Sequence, residues 1–154
     1  MFLGTGRLLA SIILFFIATG APAQDARMPF DTADTLTMPE SPEGFVFYTM
    51  INGTSVRWLV DTGADIVTLN RTTADLLGIK VPDEKYSSEV HLGGEIIPSA
   101  RVKVGVLDLG PLKGRDVLAD LLKHDSKLDY NLLGMSFLRQ FRWYYEKGEL
   151  TLFK

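Results

Sequence analysis

The chain has 154 residues, of which 46% are hydrophobic and 23% are charged, and its formal net charge is −3. These values fit one globular domain, and the acidic balance gives no electrostatic reason to expect nucleic acid or an anionic membrane as a partner. The absence of cysteine excludes disulfides, thiolate metal sites and a cysteine nucleophile. His91 and His124 are the only histidines, so a histidine-rich metal site or a Ser-His-Asp triad is not favoured. We expect no cofactor.

The first 23 residues are predicted to be a cleavable signal peptide. Residues 8–18 (LLASIILFFIA) form an unbroken apolar run, and Arg7 is the only charged side chain of this segment. The run is shorter than the about 20 apolar residues that span a bilayer. Ala21-Pro22-Ala23 follows with the small-residue pattern that signal peptidase cleaves. We therefore expect an exported protein, with membrane contact only if this segment stays uncleaved.

Residues 24–43 are rich in Asp, Thr, Pro and Met and lack apolar periodicity, which predicts a flexible leader. The folded domain is then expected to span residues 44–154. Its first hairpin has the β-branched and aromatic residues 45–51 and the apolar residues 56–60 as strands. Asn52-Gly53 between them is the strongest short hairpin signal, because both residues tolerate positive φ.

A β-like run and a short helix are predicted next. The run covers residues 66–69. Thr72 or Thr73 is expected to cap a helix that continues through Leu77 and ends at Gly78.

The C-terminal half predicts further strands and a second short helix. Residues 89–92 and 96–97, joined by Gly93-Gly94-Glu95, form a second hairpin with a flexible tip. The remaining segments are an alternating strand at 100–106, a run of ambiguous period at 117–122, a short amphipathic helix at 136–141, and a closing hairpin of 143–145 with 150–153. Many short strands and only two short helices predict an all-β fold.

Asp61 is the residue whose setting points most directly to chemistry. The apolar residues 58–60 lead straight into Asp61-Thr62-Gly63-Ala64. A carboxylate at the inner end of an apolar strand is costly to ionise unless it is hydrogen-bonded or paired. The small Gly63 and Ala64 leave room for a turn and for the close approach of another backbone. Such a loop presents one oriented carboxylate in a partly dry cleft.

A single carboxylate cannot activate a water and protonate a leaving group at the same time. Two carboxyl groups about 3 Å apart can, because like charges at that distance share one proton and divide into an acid and a base. The sequence contains one Asp-Thr-Gly. The simplest source of the second carboxylate is therefore a two-fold symmetric homodimer that brings two copies of Asp61 to its axis. Their titration would belong to the pair rather than to either residue.

Residues 59–65 (LVDTGAD) resemble the active-site loop of retroviral-type, retropepsin-like aspartic proteases. Ile51-Asn52-Gly53 and residues 132–138 (LLGMSFL) look like a bacterial, signal-bearing branch of that family. Asp-Thr-Gly alone is a weak motif, but it gains specificity from the apolar-apolar-Gly about 70 residues later. The resemblance runs from about Phe45 to Phe153. It implies the single-domain acid protease fold and a protein or peptide substrate. It favours the periplasm as the location, with membrane-tethered and secreted forms left open.

By this resemblance Asp61 is the catalytic carboxylate, and Thr62 and Gly63 support the active-site loop. Thr62 would hydrogen-bond across the dimer axis, and Gly63 would accept a hydrogen bond from the substrate backbone. Leu132-Leu133-Gly134 would pack beneath the loop. The implied substrate-binding residues are Ala64 and Asp65 in the loop, together with Leu92, Gly93 and Gly94 at the tip of a mobile flap.

One departure from the viral pattern concerns the residue after Gly134. The viral enzymes have an arginine there that pairs with the second aspartate of the loop, whereas this chain has Met135. Arg139, one helical turn further on, is the candidate partner of Asp65.

The sequence leaves three functions open. The first is an aspartic endopeptidase, in which a water activated between two Asp61 carboxylates hydrolyses a peptide bond without a metal or a covalent intermediate. The second is a catalytically weak or inactive peptide-binding pseudoprotease of the same fold in the cell envelope. The third is a structural envelope protein in which Asp61 only braces a turn. The first is favoured, because an unused buried carboxylate would lower stability without a benefit.

Overall fold

The computed structural model describes residues 34–154, so the predicted signal peptide and residues 24–33 lie outside the described part of the chain. That part contains ten strands, two short helices and a 3₁₀ turn at Asp83–Lys85, and none of its helices is long and apolar enough to cross a membrane. The strands are β1 Thr35–Ser41, β2 Gly44–Ile51, β3 Thr54–Val60, β4 Val67–Leu69, β5 Ser88–Leu92, β6 Glu95–Asp108, β7 Lys113–Leu122, β8 Asn131–Leu133, β9 Arg142–Glu146 and β10 Glu149–Phe153. The helices are α1 Arg71–Leu76 and α2 Met135–Leu138.

The strands form one sheet in the order β5-β6-β7-β4-β8-β3-β2-β1-β10-β9. Most neighbours are antiparallel, but β3 pairs in parallel with β8, and β4 pairs in parallel with β7. The all-β fold predicted from the sequence is confirmed. The run of ambiguous period at 117–122 is part of β7, where Val117, Ala119 and Leu121 are buried on one face. The apolar pattern does not alternate because Leu118, on the other face, is apolar but exposed.

Three predicted hairpins are confirmed, and all three close through two-residue turns. Both turn residues have positive φ in each case: Asn52-Gly53, Gly93-Gly94 and Lys147-Gly148. Turns of this kind match the twist of the flanking strands, and glycine adopts positive φ without steric cost. The pairs β2–β3, β5–β6 and β9–β10 are therefore specified by local sequence.

The predicted start of the domain at residue 44 is wrong, because β1 already belongs to the sheet and its residues are not a flexible leader. β1 pairs antiparallel with β10, and Met38 is only 1% exposed. The hydroxyl groups of Thr37 and Thr151 lie 3.0 Å apart across this pairing. The apolar alternation of β1 is limited to Leu36 and Met38, which is too short to signal a strand. The partner strand, more than 100 residues further along the chain, makes it one.

Both helices differ in detail from the predictions. The predicted capping of α1 by Thr72 or Thr73 is wrong, because the helix starts after Asn70 and the backbone N–H of Thr72 donates to Asp125 (2.9 Å). The helix predicted at 136–141 is shorter, since α2 ends at Leu138. The backbone N–H groups of Gln140 and Phe141 bond three residues back, as in a tight 3₁₀-like turn.

Two apolar clusters fill the interior. The larger one contains Trp58 and Phe137, both fully buried, and joins the central strands to α2. The smaller one, called here the hairpin cluster, buries Leu92, Ile97, Leu122 and Leu132, with Leu59, Val90, Leu128 and Tyr130 packed against it. Each fully buried leucine stabilises the fold by about 1.5–3 kcal/mol. The hairpin cluster connects the β5–β6 hairpin to the strands that frame residues 61–66.

Candidate active site

Three central strands position the loop of residues 61–66. β8 lies between β3 and β4, parallel to β3 and antiparallel to β4. The chain leaves β3 at Val60, passes through the loop and returns as β4, so the loop lies over the junction between β8 and α2. β4 and β8 are buried along their whole length, which gives the loop a rigid base.

Asp61 is the first residue of this loop and is half-buried. Its backbone N–H donates to the carbonyl oxygen of Leu133 (3.2 Å), which extends the β3–β8 pairing into the loop. Its Oδ1 accepts a hydrogen bond from the backbone N–H of Gly63 (2.9 Å), and its carbonyl oxygen accepts one from Ala64 (3.3 Å). Within residues 34–154 the other carboxylate oxygen has no hydrogen-bond partner. That oxygen can bind a water or a substrate group.

Gly134 lies directly beneath the loop. A Cβ atom at this position would be 2.5 Å from the carbonyl oxygen of Ile66 and 2.8 Å from that of Ala64. The next two residues bond to the loop, since the N–H of Met135 donates to Ala64 (2.8 Å) and that of Ser136 donates to Asp65 (2.9 Å). The packing of residues 132–134 under the loop, implied by the resemblance, is thus present, and only glycine allows so close an approach.

Ser136 is a supporting residue that the sequence reasoning missed. Its Oγ accepts a hydrogen bond from the backbone N–H of Val67 (3.0 Å) and donates one to the carbonyl oxygen of Leu118 (2.7 Å). These bonds tie the end of the loop to β7. The sequence contains no local signal for them, because both partners are distant along the chain.

Asp65 pairs with Arg139, the candidate partner proposed from the sequence. The guanidinium of Arg139 lies 3.3 Å from Oδ1 of Asp65. The two side chains are 65% and 86% exposed, so this ion pair contributes little to stability. Met135, at the position of the viral arginine, instead packs against the larger apolar cluster.

Thr62 and Gly63 are exposed at the tip of the loop, and Ala64 is half-buried. Within the described part of the chain, the side chain of Thr62 makes no hydrogen bond. Residues 61–65, which were predicted as one site, therefore form one loop, in which the side chain of Thr62 is exposed and that of Asp65 pairs with Arg139.

The predicted flap residues lie on the β5–β6 hairpin and contact a different segment. Leu92 is buried in the hairpin cluster, and a Cβ on Gly93 would be 2.7 Å from the side chain of Leu128. Gly94 is exposed at the turn. The Glu95 carboxylate accepts a hydrogen bond from the backbone N–H of Lys127 (2.8 Å). Among residues 34–154, no hydrogen bond joins the hairpin to residues 61–65.

Asn70 is a second residue that the sequence reasoning missed. Its side chain is buried, donates to the carbonyl oxygen of Tyr130 (3.0 Å) and accepts from the backbone N–H of Ser126 (3.2 Å). Its backbone N–H donates to Oδ1 of Asn131 (2.8 Å). Asn70 thereby positions residues 126–131, which contact the hairpin and lead into β8. Its buried amide is already used in these bonds.

The surroundings of Asp61 are open in the single chain. Two cavities of the described residues are lined by other segments, and neither includes a residue from 61–65. No group of three or more potential metal-ligating side chains occurs within residues 34–154. The chemistry that this arrangement offers is that of one oriented carboxylate with a free oxygen.

Sequence comparison identifies a matching family model and one relative. A family model described as "gag-polyprotein putative aspartyl protease" matches residues 47–140. A Sinorhizobium sp. protein, described as "Uncharacterized protein in cobV 5'region", is 31% identical over 88 residues, which are 57% of this chain and 37% of that protein. The match thus spans little more than a third of the relative's length.

Comparison with solved structures identifies the fold. A retropepsin-like aspartic protease from Rickettsia conorii matches with a TM-score of 0.59 at 23% identity, over 77% of this chain and 89% of that one. The retroviral protease-like domain of Ddi1 from Leishmania major reaches 0.48 at 19% identity, over 73% and 83% of the two chains. At such identities the likeness shows the fold alone, and the rickettsial structure carries that argument. The predicted retropepsin-like fold is confirmed.

Proposed function

The chain belongs to the gag-polyprotein putative aspartyl protease family, and on that premise we propose that it is an aspartic endopeptidase that acts as a homodimer. A water held between two Asp61 carboxylates, one from each copy, hydrolyses a peptide bond in a protein or peptide substrate. No metal takes part in this reaction.

The observation that carries the proposal is the hydrogen bonding of the two oxygens of the Asp61 carboxylate. One oxygen is held by the N–H of Gly63 at 2.9 Å, which fixes its direction, and the other has no partner within residues 34–154. A carboxylate whose only role was to stabilise the turn would not need further residues that hold the loop in place from below. Here Gly134 and the backbone bonds of α2 hold the loop from beneath. Such preorganisation is typical of catalytic groups.

The proposed reaction conserves one proton on the pair of carboxyl groups. The ionised Asp61 takes a proton from the water, and the protonated Asp61 of the second copy donates its proton to the carbonyl oxygen of the scissile bond. The water oxygen bonds to the carbonyl carbon and forms a gem-diol. The Asp61 that is now protonated donates its proton to the amide nitrogen, the other Asp61 takes a proton from a hydroxyl of the gem-diol, the C–N bond breaks, and a carboxylic acid and an amine leave. The pair again holds one proton.

The exposed groups around Asp61 fit the other predicted roles. The free hydroxyl of Thr62 is available for a bond to the second copy, and Gly63 and Asp65 present groups to a bound peptide chain. The β5–β6 hairpin, with Gly93 and Gly94 at its turn, is proposed to close over the peptide and exclude water.

We also propose that the enzyme works after export, in the periplasm. The support comes from residues 1–23, with their short apolar run and Ala21-Pro22-Ala23. If residues 1–23 stay uncleaved, they tether the enzyme to the membrane.

The proposal is tested by incubating the full chain with a mixed peptide library from acidic to neutral pH. Asp61→Asn keeps the oxygen that accepts the Gly63 N–H, so it removes the charge with little change in the loop. The matched control is Asp75→Asn, whose carboxylate lies on the surface of α1 beside Arg71. We expect parent and control to cleave, with rates that rise faster than linearly with protein concentration, and Asp61→Asn to lose at least about 100-fold.

Two results would contradict the peptidase proposal. Cleavage by Asp61→Asn at the parent rate would show that the carboxylate is not catalytic. A folded, dimeric parent that binds peptides without cutting them would favour the peptide-binding pseudoprotease.

A further inference from the structure

A groove opens on the surface beside β2 and is called here the β2 groove. It has a volume of about 560 Å³, and its apolar lining comes from Leu36, Tyr48, Met50, Leu77, Val106 and Pro111. Met50 and Tyr48, which are 68% and 64% exposed, are the most exposed large hydrophobic side chains of the described part of the chain. An exposed apolar surface that lines a groove indicates a site for a segment that covers it.

The groove lies where β1 separates from β2. β1 pairs with β2 only at Glu40 and Ser41, whereas it pairs with β10 over residues 35–39. The next residue in the β1–β2 register is Pro39, which would lie opposite Val46. Proline has no N–H to donate, so the hydrogen-bonded ladder cannot be completed there. The two strands therefore diverge, and the groove fills the space that opens between them.

The β2 groove also contains backbone groups that have no strand neighbour. Beyond Phe45, β2 pairs only with β3 within the described part of the chain. Ile51 and Thr54 flank the two-residue turn and bond to each other, so every second residue counted back from Ile51 bonds to β3. The N–H and C=O groups of Tyr48 and Met50 are therefore directed to the open side. An extended segment can bond to them.

The segment that precedes β1 is joined directly to the rim of this groove. β1 begins at Thr35, and Leu36 already lines the groove. Residues 24–33 (QDARMPFDTA) come immediately before. The six residues from Phe30 to Leu36 span up to about 20 Å, whereas residues 48–52 of β2, which line the groove, extend over about 17 Å. The segment is therefore long enough to reach every part of the groove.

Met28, Pro29 and Phe30 form the apolar centre of this segment. Pro29 has a fixed φ and restricts Met28 to extended conformations, so ordering this part of the chain in a groove costs less entropy. In an extended segment Met28 and Phe30 lie on the same face. A thioether and an aromatic ring on one face match Tyr48 and Met50, because contacts between sulfur and aromatic rings are favourable.

We infer that residues 28–30 dock in the β2 groove of their own chain, in an extended conformation that covers Tyr48 and Met50. The covalent connection to β1 keeps this segment at a high effective concentration beside the groove, which favours it over a segment from a second copy. Docking at this end of β2 leaves the candidate active site uncovered, because Met50 lies opposite Ser55, about 20 Å along β3 from Asp61.

The first test measures how well the segment protects the groove. The chain has no cysteine, so Met50→Cys gives the full chain a single thiol in the groove, and its rate of alkylation by a maleimide reports access. We expect Met28→Ser and Phe30→Ser together to raise this rate at least about fivefold. At the control position Leu118→Cys, an exposed residue of β7 outside the groove, they should leave the rate unchanged. An unchanged rate at Met50→Cys would overturn the inference.

The second test compares melting temperatures of the full chain in a double-mutant cycle. Phe30→Ser in the parent should lower the melting temperature by about 5 °C, because the ring loses its apolar contacts. In the variant Tyr48→Ser/Met50→Ser, which lacks the partners in the groove, the same substitution should lower it by less than about 1 °C. Tyr48 and Met50 are mostly exposed, so their replacement leaves the domain folded. Equal shifts in the two backgrounds would contradict docking.

The dependence on protein concentration distinguishes the chain's own segment from that of a second copy. Protection of Met50→Cys by residues 28–30 of the same chain should be equal at all protein concentrations. Protection that is lost on dilution would show that a second copy fills the groove, and the inference would then be wrong. Neither alkylation nor melting depends on peptide cleavage, so these results stand apart from the catalytic proposal.

Discussion

Replacement of Gly134 by alanine tests how closely the loop of residues 61–66 is supported from below. The new Cβ would lie 2.5 Å and 2.7 Å from the carbonyl oxygen and carbon of Ile66, and 2.8 Å from the carbonyl oxygen of Ala64. All three are backbone atoms, so no change of side-chain rotamer can relieve the contacts. To reach an ordinary separation of 3.4 Å, the loop has to move by about 0.9 Å.

The expected cost of Gly134→Ala follows from this displacement. Overpacking of a well-packed site costs about 1–3 kcal/mol. The shift also weakens the bonds from Met135 to Ala64 and from Ser136 to Asp65, which are 2.8 and 2.9 Å long. A loss of about 2 kcal/mol lowers the melting temperature by roughly 8 °C in a domain of about 120 residues. Cleavage should fall further, by about 100-fold, because Asp61 is displaced by nearly 1 Å.

The assay is thermal unfolding of the full chain by circular dichroism, with peptide cleavage measured well below the transition. Gly105→Ala is the matched control, because Gly105 lies in β6, has no left-handed φ and has no atom within 4 Å of an added Cβ. Its stability should change by less than about 0.5 kcal/mol. If Gly134→Ala and Gly105→Ala melt at the same temperature, the loop is not supported in the way described.

Two further predictions concern the surroundings of the site and the pH dependence of stability. Asn70→Ala removes the buried bonds that hold residues 126–131 and should cost about 1–3 kcal/mol in chemical unfolding, with faster amide exchange in that segment; unchanged exchange would contradict this role. Hydrogen bonding to Lys113 lowers the pKa of Asp108, so its stabilisation is present above the usual aspartate pKa of about 3.9 and is lost as the pH falls through the lower folded value. The parent should therefore melt above Asp108→Asn at neutral pH and match it at about pH 2, whereas a constant difference would refute this linkage.

The sequence predicted the hairpins and the loop that begins at Asp61 well, because their signals are local. Asn52-Gly53 and Gly93-Gly94 specify turns by their tolerance of positive φ, whatever the rest of the chain does. Asp61 and the small residues after it specify a tight loop at the end of an apolar strand, and the structure has that loop. The pairing of Asp65 with Arg139 was also predicted, because Met135 replaces the arginine of the viral enzymes and Arg139 is the candidate one helical turn further on.

The errors occur where a residue's partner lies far along the chain. Residues 35–41 have too little alternation to signal a strand, and β10 makes them one. The N–H of Thr72 is satisfied by Asp125, which a local capping rule cannot foresee. Ser136 and Asn70 look unremarkable in sequence, but their side chains join segments 18 to 69 residues apart.

The sequence by itself determined the turns, the all-β class and the tight loop that begins at Asp61, because each depends on neighbouring residues or on composition. The tertiary structure decided that residues 35–41 belong to the sheet, what holds the loop of Asp61 from beneath, and which strands lie at the edges of the sheet formed by residues 34–154. Those features depend on which distant segments pack together. Burial of apolar surface and the need to pair buried polar groups settle that for the whole chain at once.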